Sequence, residues 1–119
     1  MDKMKSKIEK FEDLVVWQKA AAFSFNIYKT FKFLKDYSFQ DQIQRAVISI
    51  MNNIAEGYER KGNKEYSRFL FIAKGSCGET RSMLYLAGKL GYVSRQNYLM
   101  LNEQAVEISK MLYGLIKKL

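Results

Sequence analysis

The stretch "SRQNYLMLNEQAVEISKMLYGLIKKL", residues 94–119, decides the architecture. Tyr98, Leu101, Ala105, Ile108, Leu112, Leu115 and Leu119 recur in it at spacings of three and four. That is the rhythm of a helix presenting one apolar seam to its neighbours. Towards the N-terminus the rhythm returns in Tyr66, Phe69, Ala73, Cys77, Thr80, Leu84 and Ala87, and again in Ile43, Val47, Ile50, Ile54 and Gly57. Val16, Trp17, Ala20, Phe23, Ile27, Phe31 and Leu34 make a first helix apolar around more than half its circumference, more than a core seam requires and so part of the apolar surface expected to be left over. Breaks fall at 35–38, 61–63 and 91–94, each ending in a side chain (Ser38, Asn63, Ser94) able to accept from the orphan amides of a following helix. Asp41, three residues after Ser38, makes a variant of the capping box. The chain has no proline and no bounded run of strict alternation, so strands have no support. Segments 12–35, 38–60, 63–90 and 94–118 with short connections predict an all-α, antiparallel up-down four-helix bundle in a single domain spanning 1–119. Residues 1–10 read as a basic, flexible N-terminal segment.

A chain of 119 residues can remove about two thirds of its extended surface from water, so it needs no staple. One cysteine and no histidine exclude an intramolecular disulfide and leave no credible zinc, copper or haem ligand set. No metal and no cofactor is expected. The opening "MDKMKSKIEKFEDL" lacks the continuous apolar run of a secretory signal or membrane span, which points to a reducing cytoplasm and away from any membrane. The net charge of +8 favours polyanions, either nucleic acid or an acidic partner. The densest groups are Lys3, Lys5, Lys7 and Lys10 at the start and Arg60, Lys61, Lys64 and Arg68 mid-chain. The second group holds the expected phosphate contacts, set against the plainer reading of a solvated surface that keeps the bundle soluble.

Apolar residues are left over once the seams are satisfied. Ile72, Met83, Leu86 and Leu90 form a second stripe on helix three, Leu99, Val106 and Tyr113 another on helix four, and Ile48, Met51 and Ala55 flank the seam of helix two. With 48% hydrophobic residues, one bundle would expose more than monomers usually tolerate, so the chain is expected to assemble with copies of itself.

The polar residues of "SIMNNIAEGYERKG", residues 49–62, fit that picture. Arg45, Ser49, Asn52 and Glu56 form one stripe opposite the seam of helix two. Arg45 and Glu56 are too far apart to pair, so each is expected to find a partner in solvent, another helix or another subunit. Asn53 lies nearer the seam edge, where its amide can serve a helix contact. Glu79 falls within the second stripe of helix three and should require an arginine or amide partner. Glu56 and Glu79 as a general acid and base lack any nucleophile, metal ligand or phosphate loop, so a register-fixing polar network is preferred, with no small-molecule substrate. "GSCGE", residues 75–79, lacks the lysine and serine or threonine of a phosphate loop. Cys77 reads as a packed thiol, with Gly75, Ser76 and Gly78 letting another helix approach. Tyr28, Tyr58, Tyr66, Tyr92 and Tyr98 read first as core or interface and second as base-stacking groups.

"FEDLVVWQKA" at 11–20, "QIQRAVISIMNNIAEGYER" at 42–60, "FLFIAKGSCGE" at 69–79 and "LGYVS" at 90–94 resemble a family of small bacterial four-helix bundles. Those proteins are encoded in intervening sequences of large-subunit ribosomal RNA genes. The resemblance implies assembly into rings, often pentamers, with no enzymatic activity assigned. A remote likeness to the accessory variability determinant of diversity-generating retroelements implies a role beside nucleic acid, RNA or a ribonucleoprotein. The alternative is a scaffold that docks a partner protein on its apolar faces. Residues matching the family motif are Arg45, Ser49, Asn53, Glu56, Gly57, Gly75, Ser76 and Glu79, with structural or interface roles. The family commonly has proline where this chain has Lys32 and Met51; without one, helix two is expected to run straighter.

Overall fold

The computed structural model describes residues 7–119. The four apolar rhythms become four helices: α1 (Val15–Thr30), α2 (Tyr37–Glu59), α3 (Asn63–Leu90) and α4 (Arg95–Lys117), with a short 3-10 turn at Phe11–Asp13 before the first. α1 packs on α2 and α4, and α3 packs on the same two, while the backbones of the diagonal pairs stay more than 8 Å apart at every Cα. The arrangement is the expected antiparallel up-down bundle. α3, with 28 residues, is about 42 Å long at 1.5 Å per residue and sets most of the 50 Å long axis. α2 runs unbroken past Met51.

The seams point inward as the spacing requires. Ile43, Val47, Ile50 and Ile54 of α2 meet Leu70, Ala73, Cys77, Leu84 and Ala87 of α3, and Leu101, Ala105, Ile108 and Leu112 of α4 close the core; all are buried. The broad face of α1 is core as well: Val16, Ala20, Phe23, Ile27 and Phe31 are buried and Trp17 and Leu34 pack against them. Two further readings are corrected. Met83 is buried rather than part of an outer stripe, and Ile48 and Met51 are partly buried against the core. A helix in a square bundle has two neighbours, so its buried arc is wider than a single seam.

The helix starts differ from expectation in two of three cases. α2 is capped by Asp36, whose carboxylate accepts from the Phe39 amide at 3.1 Å, so the Ser38 and Asp41 box does not form. Starting there carries Phe39 into the core, edge-on to Phe31 and Tyr92 with ring centroids at 5.8 and 5.3 Å. α3 follows Gly62, at φ 92, rather than an Asn63 cap. Ser94 does cap α4, accepting from the Asn97 amide at 3.1 Å. Ahead of α1, the Asp13 carboxylate accepts from the amides of Glu9 and Lys10, and Phe11 packs edge-on against Trp17. Most of the segment expected to be flexible, residues 1–6, lies outside the described residues. No helix among the described residues is long and apolar enough to cross a membrane.

Candidate functional site

The motif residues of α2 and α3 meet at the contact between those helices. Asn53 Nδ2 donates to the Ser49 carbonyl at 2.8 Å and to Ser49 Oγ at 2.9 Å. Ser76 Oγ reaches across from α3 to Ser49 Oγ at 2.9 Å. Thr80, fully buried, donates to the Ser76 carbonyl at 2.9 Å. Three small polar side chains thus satisfy one another where two helices touch, so the desolvation cost of burying them is met locally. Gly57 allows the approach at the other end of the same pair: a Cβ there would lie 2.8 Å from Phe69 Cβ and 3.3 Å from the Tyr66 carbonyl oxygen. Asn53 lies at the helix contact as its place near the seam edge suggested, whereas Ser49, read as opposite the seam, turns out to face α3 and bond Ser76.

The remaining motif residues do something else. Arg45 pairs with Asp41 at 2.9 Å and Glu56 with Arg60 at 2.9 Å, each one turn away on α2 or its end. The expectation that Arg45 and Glu56 seek other helices or subunits is therefore corrected. Both pairs place the acid four residues before the base, the favourable order on a helix, and that signal was present in the sequence. Arg45, Ser49, Asn52 and Asn53 line an open hollow of about 430 Å³ beside Tyr28, without Glu56 or Glu79. Glu79 and Gly75 lie exposed on the outer face of α3. No heavy atom comes within 4 Å of a Cβ built at Gly75 or Gly78, so no other helix of this chain uses their smallness. Cys77 points the other way; burial pushes its thiol up to about 12, which leaves no thiolate for nucleophilic work.

The four expected phosphate contacts gather at the α2–α3 turn. Arg60 and Arg68 stack on the Phe69 ring, 5.0 and 4.5 Å from its centroid. Each also holds a carboxylate: Arg60 that of Glu56, and Arg68 that of Glu65 through Nε at 3.1 Å and Nη2 at 3.2 Å. The Arg68 hydrogen bond holds the Glu65 carboxyl below its ordinary range. Lys61 and Lys64 are exposed and in no ion pair among the described residues.

The opposite end was not singled out by sequence reasoning. Lys29, Lys32, Lys35, Lys89 and Arg95 stand there with exposed Phe25, Phe33, Tyr37 and Tyr85. The two turns at this end are joined by the Tyr92 hydroxyl, which donates to Asp36 Oδ2 at 2.7 Å. That bond and the Phe39 amide lower the Asp36 pKa, and the same bond raises that of Tyr92. A cation and an aromatic one turn or one residue apart was the available signal, as in "FNIYKTFKFLK", residues 25–35.

Among the described residues no group of three or more histidine, cysteine, aspartate or glutamate side chains is placed to hold a metal ion. What the fold and its polar contacts define is a class: a helical bundle whose motif residues stitch helix to helix. The chain belongs to the 23S rRNA-intervening sequence protein family, whose model matches residues 12–114. It is similar to a crystal structure from Bacteroides thetaiotaomicron of a protein with unknown function from the S23 ribosomal protein family. The two share 31% identity and a TM-score of 0.82 over 87% of this chain and 99% of that one. Among curated proteins no significant match was found.

Proposed function

We propose that this chain is a non-enzymatic bundle that works as a ring of identical copies, with a pentamer favoured by the family resemblance, and holds RNA or a ribonucleoprotein on its basic surface. The observation that carries the assembly is the outer face of α3. Ile72, Leu86 and Leu90 recur there on the same side as Gly75, Gly78 and Glu79, and all are exposed although the chain's own core is complete. Leu99 and Tyr113 of α4 add to it, each about half exposed. Exposed apolar residues repeated along one helix face mark an interaction site, and the open glycine positions let a second helix approach. The net charge of +8 supplies the attraction for a polyanion.

Light scattering at micromolar concentration tests the assembly: the expected mass is several times 13.9 kDa, and Leu86→Glu with Leu90→Glu reduces it to one chain. A wild-type particle of single-chain mass overturns the ring. For the polyanion, the expected result is RNA affinity that falls steeply with salt. A second reading, a scaffold for a partner protein, is supported by the carboxylates that neutralise Arg60 and Arg68. A salt-independent isotherm with protein co-purifying on the same apolar faces favours it.

A further inference from the structure

We infer that the RNA contact lies at the end of the bundle formed by the α1–α2 and α3–α4 turns, and that it takes single-stranded RNA, with a base seated between Tyr85 and Tyr98 and flanking phosphates on Lys89 and Arg95. The inference rests on the RNA reading proposed above and names its site. Three observations on that end converge.

The first is uncompensated charge. Lys29, Lys32, Lys35, Lys89 and Arg95 are exposed, and none is in an ion pair among the described residues. The nearby carboxylates are already engaged, Asp36 by the Phe39 amide and the Tyr92 hydroxyl, and Asp41 by Arg45. At the α2–α3 end, by contrast, Glu56 and Glu65 occupy both arginines. All five cations at the first end are thus unpaired among the described residues, against two of four, Lys61 and Lys64, at the second.

The second is shape. A hollow of about 230 Å³ between α3 and α4 is lined by Tyr85, Gly88, Lys89, Val93, Arg95 and Tyr98. Gly88 contributes no side chain to it, and a Cβ there would meet only the Tyr98 ring at 3.7 Å. Two tyrosines beside two cations offer a stacking surface with phosphate ligands at its rim, the combination that holds unpaired nucleotides. A base locked in a duplex cannot enter it.

The third is repetition. Lys89 stands over Tyr85, Lys29 over Phe25 and Lys32 over Phe33, with nitrogen-to-centroid distances of 5.5, 5.3 and 5.3 Å. The Tyr92–Asp36 bond joins the α1–α2 turn to the α3–α4 turn, so the same pairing of a cation with an exposed ring is repeated on helix ends that both turns connect.

The test is fluorescence anisotropy with a labelled 12-nucleotide single-stranded RNA, titrated with the full chain at several salt concentrations. Lys89→Gln with Arg95→Gln is expected to weaken binding at least tenfold near 0.1 M salt and to flatten the log–log salt slope by about 1.4, two phosphates at about 0.7 each. Tyr85→Ala is expected to weaken it about tenfold with the slope unchanged, since stacking releases no counterion. Lys61→Gln with Lys64→Gln should bind like wild type. All five positions are exposed, and unchanged thermal unfolding confirms the fold of each variant. Loss of binding in the Lys61 and Lys64 variant alone moves the site to the other end and leaves the RNA reading standing. Equal affinity for a 12-base-pair duplex overturns the seated base. Absence of salt-dependent RNA binding by wild type removes both readings, and binding to phosphatidylserine vesicles without RNA binding assigns the surface to lipid instead.

Discussion

Seven residues separate Cys77 from Leu84 on the face of α3 that looks into the bundle, and seven separate Ile72 from Glu79 and Glu79 from Leu86 on the face that looks out. Both runs keep the same helical period, yet Cys77 and Leu84 are fully buried while Ile72, Glu79 and Leu86 are exposed. Period alone therefore says that a face is apolar, not what covers it. On the inner face the neighbours come from the same chain and the energetics are those of a packed core. On the outer face no other helix among the described residues comes within 4 Å of a Cβ at Gly75 or Gly78, and these two glycines keep the surface low.

Four measurements break or sharpen this contrast. Leu84→Ala removes a fully buried side chain from the inner face and is expected to cost about 2–5 kcal/mol in urea unfolding. If the inner face were as loosely engaged as the outer, the loss would fall below 1 kcal/mol on the same scale. Gly57→Ala and Gly75→Ala form the next pair. The first drives a methyl to within 2.8 Å of Phe69 Cβ and is expected to cost about 1–3 kcal/mol. The second meets open space and, in chains separated by Leu86→Glu, is expected to gain about 0.5–1 kcal/mol from helix propensity. Thermal melts that moved the same way for both would erase the distinction. Ser76→Ala deletes the one hydroxyl that crosses from α3 to Ser49 and is expected to cost about 1 kcal/mol in the same urea assay.

The smallest effect is one of pH and belongs to the joined turns. The Asp36 carboxyl is lowered from 3.8 by its Tyr92 and Phe39 hydrogen bonds. A lowered pKa means the folded state holds its proton less tightly than the unfolded one, so the stabilisation is present above pH 3.8 and is lost as pH falls through the folded value. Tyr92→Phe should therefore flatten the acid limb of the stability profile, read by melting temperature between about pH 5 and pH 2. An unaltered acid limb would show that the bond carries no linkage.

Much of this was legible in the sequence. The α4 rhythm placed Leu101, Ala105, Ile108 and Leu112 in the core because an interior seam needs an unbroken period. Asn53 was legible near the seam edge, but Ser49 was placed opposite the seam, because a wheel drawn on one neighbour does not show that α3 covers that flank as well. Helix starts were less legible. Asp36 and Ser38 are both good caps, and the choice went to the one that lets Phe39 reach Phe31 and Tyr92, a tertiary contact no local pattern contains. Met83 was misplaced for a related reason, as a one-dimensional stripe does not reveal that α3 faces two neighbours. The linear charge pattern drew attention to 60–68 and passed over Lys29, Lys32, Lys35, Lys89 and Arg95, which the fold gathers from two separate stretches. Only three-dimensional pairing distinguishes Arg60 and Arg68, held by Glu56 and Glu65, from Lys89 and Arg95, which pair with no acid among the described residues.

The bond between Tyr92 and Asp36 ties points 56 residues apart, one in each of two neighbouring loops, while the start of α1 and the tail of α4 lie at the far end of the rods. Opening by heat is therefore expected to begin where α1 starts and α4 ends, the corner of the bundle that neither a turn nor this bond closes.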